Sequence, residues 1–143
     1  MLAAEIHHAL RTLVFDQDGN PAPFTLRPKA NTQDDPFDEW LRDQLSTNLP
    51  HTVFGASGPL ISPDIAVVRR GVALSHEHPA TTGEAIGIEV KKFESESARG
   101  TGLDFNSTPP CGSLTVYDVQ HQPIVIPGFY LFCVLRQLAP LGA

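Results

Sequence analysis

Two short strings hold the residues that can do chemistry: Pro63-Asp64 and Glu89-Val90-Lys91, with 24 residues between Asp64 and Glu89. Each lies in a Val- and Ile-rich run, Pro63 to Arg70 and Glu84 to Phe93, which reads as an extended strand. Alternate residues of a strand share a face and stand about 6.5–7 Å apart along it. Glu89 and Lys91 therefore project together with Gly87, while Ile86, Ile88 and Val90 turn toward a core. The second lysine of the run, Lys92, falls on the side of Ile88 and Val90. If the two strands pair, a carboxylate from each converges on one cation. Two carboxylates with a backbone carbonyl, that of Val90, make a hard-oxygen set suited to Mg²⁺, which keeps waters in its other positions. Such an ion polarises a phosphate and acidifies water, and Lys91 is placed to orient that water or balance developing negative charge. The chemistry is phosphodiester hydrolysis. Bland readings stand beside it: Asp64 as a turn acid entering a strand, and Glu89 with Lys91 as an exposed same-face ion pair.

The elements that must position these groups can be read from periodicity. Leu2, Ile6, Ala9, Leu10 and Leu13 recur at helical spacing, predicting an amphipathic helix over residues 1–15. Residues 16–34, with Gly19, Asn20, Pro21, Pro23 and Pro28, form a turn-rich connector. A second helix starts at Asp35 as N-cap, with Pro36 at the first helical position and an apolar stripe of Phe37, Trp40, Leu41 and Leu45. After Pro50 the period changes to two. Strands are expected at His51 to Phe54, at the two chemistry-bearing runs, at Ser113 to Asp118, Pro123 to Ile126, and Phe129 to Gln137. The last is apolar on both faces and is expected to be central and covered on both sides.

The pattern PD(X)24EVK resembles the PD-(D/E)XK nuclease superfamily, and most of all its type II restriction endonucleases. The resemblance implies an α/β (α+β) restriction-endonuclease-like core, with a mixed central sheet flanked by helices, in the order helix, three antiparallel strands, helix, strand. It covers residues 35–137 within a single domain of residues 1–143. It implies that Asp64 and Glu89 bind Mg²⁺, with Val90 beside them, that Lys91 assists the nucleophilic water, and that the substrate is double-stranded DNA. Duplex cleavage needs two such sites, so a homodimer is expected. Some members of the superfamily add a glutamate from an upstream helix, for which Glu5 and Glu39 are the candidates.

The loop after the second chemistry-bearing strand carries Arg99, Asn106, Ser107 and Thr108, side chains able to contact phosphates or base edges. His76, Glu77 and His78 are consecutive loop residues followed by Pro79 and read as solvated. Cys111 and Cys133 are far apart and suggest neither zinc nor a disulfide framework. With no secretory leader pattern and no run of about 20 apolar residues, a cytoplasmic protein is expected. The formal net charge of −6 argues against a duplex partner, although a bound cation offsets the acid that holds it. The competing function is a non-catalytic α/β protein-interaction domain. A third is another nuclease role, such as repair, branched-DNA cleavage or RNA cleavage.

Overall fold

A computed structural model describes the chain apart from residues 33, 56–63, 82, 95–111, 119 and 136–143. The described residues form two helices, α1 (Leu2–Val14) and α2 (Pro36–Asn48), and five strands: β1 (Thr52–Gly55), β2 (Ile65–Val68), β3 (Ala85–Glu94), β4 (Gly112–Tyr117) and β5 (Pro123–Leu135). The strands make one mixed sheet in the order β1-β2-β3-β5-β4. β1, β2 and β3 run antiparallel in succession, β5 lies parallel to β3, and β4 is antiparallel to β5.

The start of α2 follows from local chemistry. The Asp35 side chain accepts the Asp38 N–H at 3.2 Å, and Pro36 occupies the first helical position of α2. α1 stops at Phe15, whose extended backbone leads into the turn-rich connector. The apolar stripes of the two helices meet on one face of the sheet. Leu2, Ile6, Leu41 and Leu45 are fully buried there against Ile65, Val67, Ile86, Ile88 and Val90. Each such aliphatic side chain contributes about 1.5–3 kcal/mol of burial. The opposite face carries a smaller core of Ala66, Val68, Ala85, Leu114, Val116, Ile124 and Ile126, covered by Val72, Leu74 and Ala80 of the segment after β2.

Two expectations need correction. The runs Pro123 to Ile126 and Phe129 to Gln137 are not two strands, because β5 passes through Pro127 and Gly128 without a break. Pro127 precedes the first β3–β5 pair, Gly87 with Gly128, so its missing N–H removes no bond to β3. A Cβ on Gly128 would sit 2.8 Å from Leu114 Cγ and 2.9 Å from the Gly87 carbonyl oxygen, so glycine lets the strand continue under Leu114. Nor is the second half of β5 covered on both sides. Phe129, Leu131, Cys133 and Leu135 pack toward the helices, but Phe132 and Val134 on the other face are 50% and 58% exposed. Among the described residues no helix is long and apolar enough to cross a membrane.

Candidate functional site

The middle of the sheet sets the site. In the β2–β3 register Ile65 faces Ile88, so the next residues outward, Asp64 and Glu89, are cross-strand neighbours. β2 itself begins at Ile65, one residue later than the expected strand needs to include Asp64. Freed from the ladder at that end, Asp64 turns its carboxylate onto β3 and accepts the Val90 N–H at 2.7 Å. Its carboxyl lies close enough to that of Glu89 for the two to act on one another directly. Two carboxyls this close are disfavoured from both being ionised. Burial, with the Glu89 carboxylate beside it, pushes Asp64 up to about 7.

Val90 contributes its backbone alone, since its side chain enters the helix-side core. In an extended strand a residue's N–H and C=O face the same neighbour, so the Val90 carbonyl is turned to the side on which Asp64 lies. Asp64, Glu89 and that carbonyl thus bring three hard oxygens to the mouth of the β2–β3 pair. Among the described residues, no group of three or more His, Cys, Asp or Glu side chains is arranged to hold a metal ion. Here a cation would have two carboxylates, one backbone oxygen and water.

Alternation separates the two lysines. Lys91 lies on the Glu89 face and is joined to no acid among the described residues. Lys92 lies on the helix face, where its ammonium bonds Asp35 and stands 3.4 Å from Asp38. It also sits 5.9 Å from the centre of the Phe37 ring. This cluster shifts its members unequally. Burial raises Asp38 to about 6, helped by the Asp35 charge and opposed by Lys92. Asp35 is also disfavoured by burial, yet the Lys92 hydrogen bond and the Asp38 N–H hold it below the ordinary range. Lys92 is raised despite its burial, because both aspartates favour its charged form. The Asp38 charge reaches Asp64 and adds to the rise there.

No family, curated protein or solved structure matches this chain.

The upstream glutamates each have a partner elsewhere. Glu5 binds His51 Nε2 at 3.1 Å and approaches Arg69 at 3.7 Å. His51 is almost fully buried and accepts the Arg70 N–H through Nδ1, so its Nε2 carries the hydrogen given to Glu5. That hydrogen bond holds Glu5 below its ordinary value. Glu39 is held by Arg27, which also grips Asp34 with two guanidinium nitrogens. His76, Glu77 and His78 are exposed, with His76 bonded to the Pro123 carbonyl at 2.7 Å. Pro63, Arg99, Asn106, Ser107, Thr108 and Cys111 lie outside the described residues. Sequence reasoning missed the Asp35 and Asp38 pair as partners of Lys92. Two acids in the first turn of α2 and a lysine on the core side of β3 were the available signal.

Proposed function

We propose that the chain is a divalent-metal-dependent nuclease whose site is formed by Asp64, Glu89, the Val90 carbonyl and Lys91. The observation that carries this reading is the placement of Asp64, which accepts the Val90 N–H at 2.7 Å, as the cross-strand neighbour of Glu89 at the end of β2 and β3. Lys91 shares the Glu89 face, one alternation further along. A carboxyl pair that retains a proton near neutral pH is disposed to exchange that proton for a cation, so the residues present fit Mg²⁺ by an argument independent of any resemblance. The chemistry such an ion would supply there is Lewis-acid polarisation of a phosphodiester. Asp64, Glu89 and the Val90 carbonyl would hold the ion, which would displace the proton that the carboxyl pair retains. The Lys91 ammonium, with no competing acid among the described residues, binds a phosphate oxygen and balances negative charge as it develops. Lys92 instead fixes the first turn of α2 to β3 through Asp35 and Asp38. The sequence of one helix and three antiparallel strands, followed later by a strand beside β3, also supports the resemblance to the PD-(D/E)XK superfamily. The finer reading is a restriction-type enzyme acting on double-stranded DNA as a homodimer.

The test is incubation of purified protein with phage or plasmid DNA, with Mg²⁺ or with EDTA. Wild-type protein should release discrete fragments only with Mg²⁺. Glu89→Gln, which keeps the side-chain shape, should retain the circular-dichroism spectrum and lose cleavage by a factor of at least about 10². Cleavage by folded Glu89→Gln at the wild-type rate would refute the site. The net charge of −6, with exposed Tyr117, Val125, Phe132 and Val134, favours the second reading, a non-catalytic interaction domain. Absence of any Mg²⁺-dependent cleavage would leave that reading standing.

A further inference from the structure

Arg42 does not pair as a helix cation ordinarily does. Arginines on a helix surface meet acids three or four positions away, and Glu39 and Asp38 stand at those positions of α2. Glu39 is held by Arg27 and Asp38 by Lys92, and Arg42 is paired with no acid among the described residues. Its half-buried side chain instead crosses from α2 to the last residue of β1. A Cβ on Gly55 would run into the Arg42 guanidinium and stand 3.3 Å from Cδ and 3.4 Å from Cζ. The side chain therefore lies flat across the glycine, on the face that Val53 turns to the helices.

That place is the end of the sheet at which the proposed site lies. Gly55 pairs with Ile65, the residue after Asp64. Asp38, one turn before Arg42, is near enough for its charge to bear on Asp64. A cross-strand Cα pair spans about 5 Å and one chain step about 3.8 Å, which sets the guanidinium on the order of 10 Å from Asp64. Lys91 flanks Asp64 from the opposite face of the sheet. Two cations that no described acid neutralises, Lys91 and Arg42, thus stand on either side of the carboxyl pair. A partly desolvated guanidinium without a carboxylate is disposed to take another oxyanion, and its planar fork bonds a phosphate through two N–H groups. Successive phosphates of one DNA strand follow at about 3.4 Å of helix rise, so a phosphate at the carboxyl pair and Lys91 brings its neighbours within reach of Arg42.

We infer that Arg42, seated over Gly55, binds a backbone phosphate of duplex DNA neighbouring the one at the Asp64–Glu89 site. This rests on the nuclease reading for what occupies that site and goes beyond it by assigning the α2 side of the sheet end to the DNA backbone. The contact positions the strand and reads no base, since phosphates carry no sequence information. Arg42 is a substrate-binding residue here and takes no part in bond cleavage.

The experiment measures fluorescence anisotropy of a labelled blunt duplex with the full chain in EDTA, where no cleavage enters, over a range of salt concentrations. Arg42→Gln and Arg42→Met, their fold checked by circular dichroism, should lower the slope of log affinity against log salt by about 0.9, the value of one phosphate contact. At about 0.1 M salt that loss weakens binding on the order of tenfold. Arg42→Lys should keep the slope, since an ammonium still displaces the counterion. Arg11→Met removes the same charge from α1 and should leave the slope at the wild-type value. Gly55→Ala changes no charge but fills the place the guanidinium occupies, and it should weaken binding as well. A slope unchanged in both neutral Arg42 variants, an equal fall in Arg11→Met, or no duplex binding by the wild type would each overturn the contact. Wild-type affinity in Gly55→Ala would overturn the seat over the glycine. Cleavage in Mg²⁺ is scored separately. A slope that depends on Arg42 without cleavage refutes the nuclease alone, and cleavage with a slope indifferent to Arg42 refutes the phosphate contact alone.

Discussion

Replacing Asp64 by asparagine should make the metal-free protein more stable at neutral and alkaline pH while destroying its proposed activity. The substitution keeps both contacts. The asparagine carbonyl can accept the Val90 N–H that Asp64 now accepts at 2.7 Å, and its amide can donate to Glu89 without needing a proton. The cost it removes can be scaled from the carboxyl's displacement from 3.8 to about 7. At 1.36 kcal/mol per pH unit that displacement corresponds to about 4 kcal/mol. Asp64 is only partly buried, and solvent screening reduces the figure to about 1–2 kcal/mol. The sign follows from proton counting. Below about pH 4 native and unfolded chains both hold the proton, so the variants should match. Between about pH 4 and 7 the unfolded chain releases it while the native chain keeps it, and wild-type stability falls relative to Asp64→Asn. Above about 7 both are ionised and the gap is constant.

Thermal unfolding followed by circular dichroism in EDTA should show this gap as about 3–8 °C at pH 8.5, nearly closed at pH 4. Mg²⁺ added at pH 8.5 should raise the wild-type midpoint and leave Asp64→Asn almost unmoved, since a ligand stabilises only the state that binds it. An Asp64→Asn protein less stable than wild type at pH 8.5, or a gap that does not change with pH, would refute the assigned environment.

The two lysines should separate by assay. Lys91→Ala should change stability by no more than about 0.5 kcal/mol yet lower the single-turnover cleavage rate by about 10²–10³-fold. Lys92→Ala should cost about 1–3 kcal/mol in urea unfolding, by leaving Asp35 and Asp38 uncompensated, and keep most of the rate. A larger rate loss at Lys92 would show the face assignment to be wrong. Gly128→Ala should cost about 1–3 kcal/mol by forcing Leu114 and the β3–β5 pair apart, and an unchanged urea midpoint would contradict the close approach described there.

The helices were legible because their signals are local. Asp35 with Pro36 marks one start, and the spacing of Leu2, Ile6, Ala9 and Leu10 marks a face. The opposition of Lys91 and Lys92 also followed from period two alone. What the sequence could not show depends on partners distant along the chain. Pro127 and Gly128 look like a turn until Leu114 is seen above the glycine and β3 is seen to begin pairing only at Gly128. Glu5 and Glu39 were open candidates until His51 and Arg27 claimed them. The apolar residues at Phe132 and Val134 suggested a doubly covered strand, but the covering segment after β2 reaches only as far as Ile124 and Ile126. Nothing in the spacing told which residues of β5 would stand beside Glu89 and Lys91, because a parallel pair carries no hairpin to set its register.

The strand order has a consequence for how the protein comes together. β4 precedes β5 in the chain but lies outside it in the sheet. The two form a tight hairpin in which Asp118 accepts the Gln120 and Gln122 N–H groups, a unit that can close within microseconds. Its docking onto β3 must wait for a long-range parallel pairing, which is intrinsically slow. During that wait the β3 edge over Gly87–Glu94, which β5 covers in the finished sheet, is an unpaired template for another copy. Refolding yield should therefore fall with rising chain concentration, and a short peptide spanning β5 added during refolding should compete for the same edge.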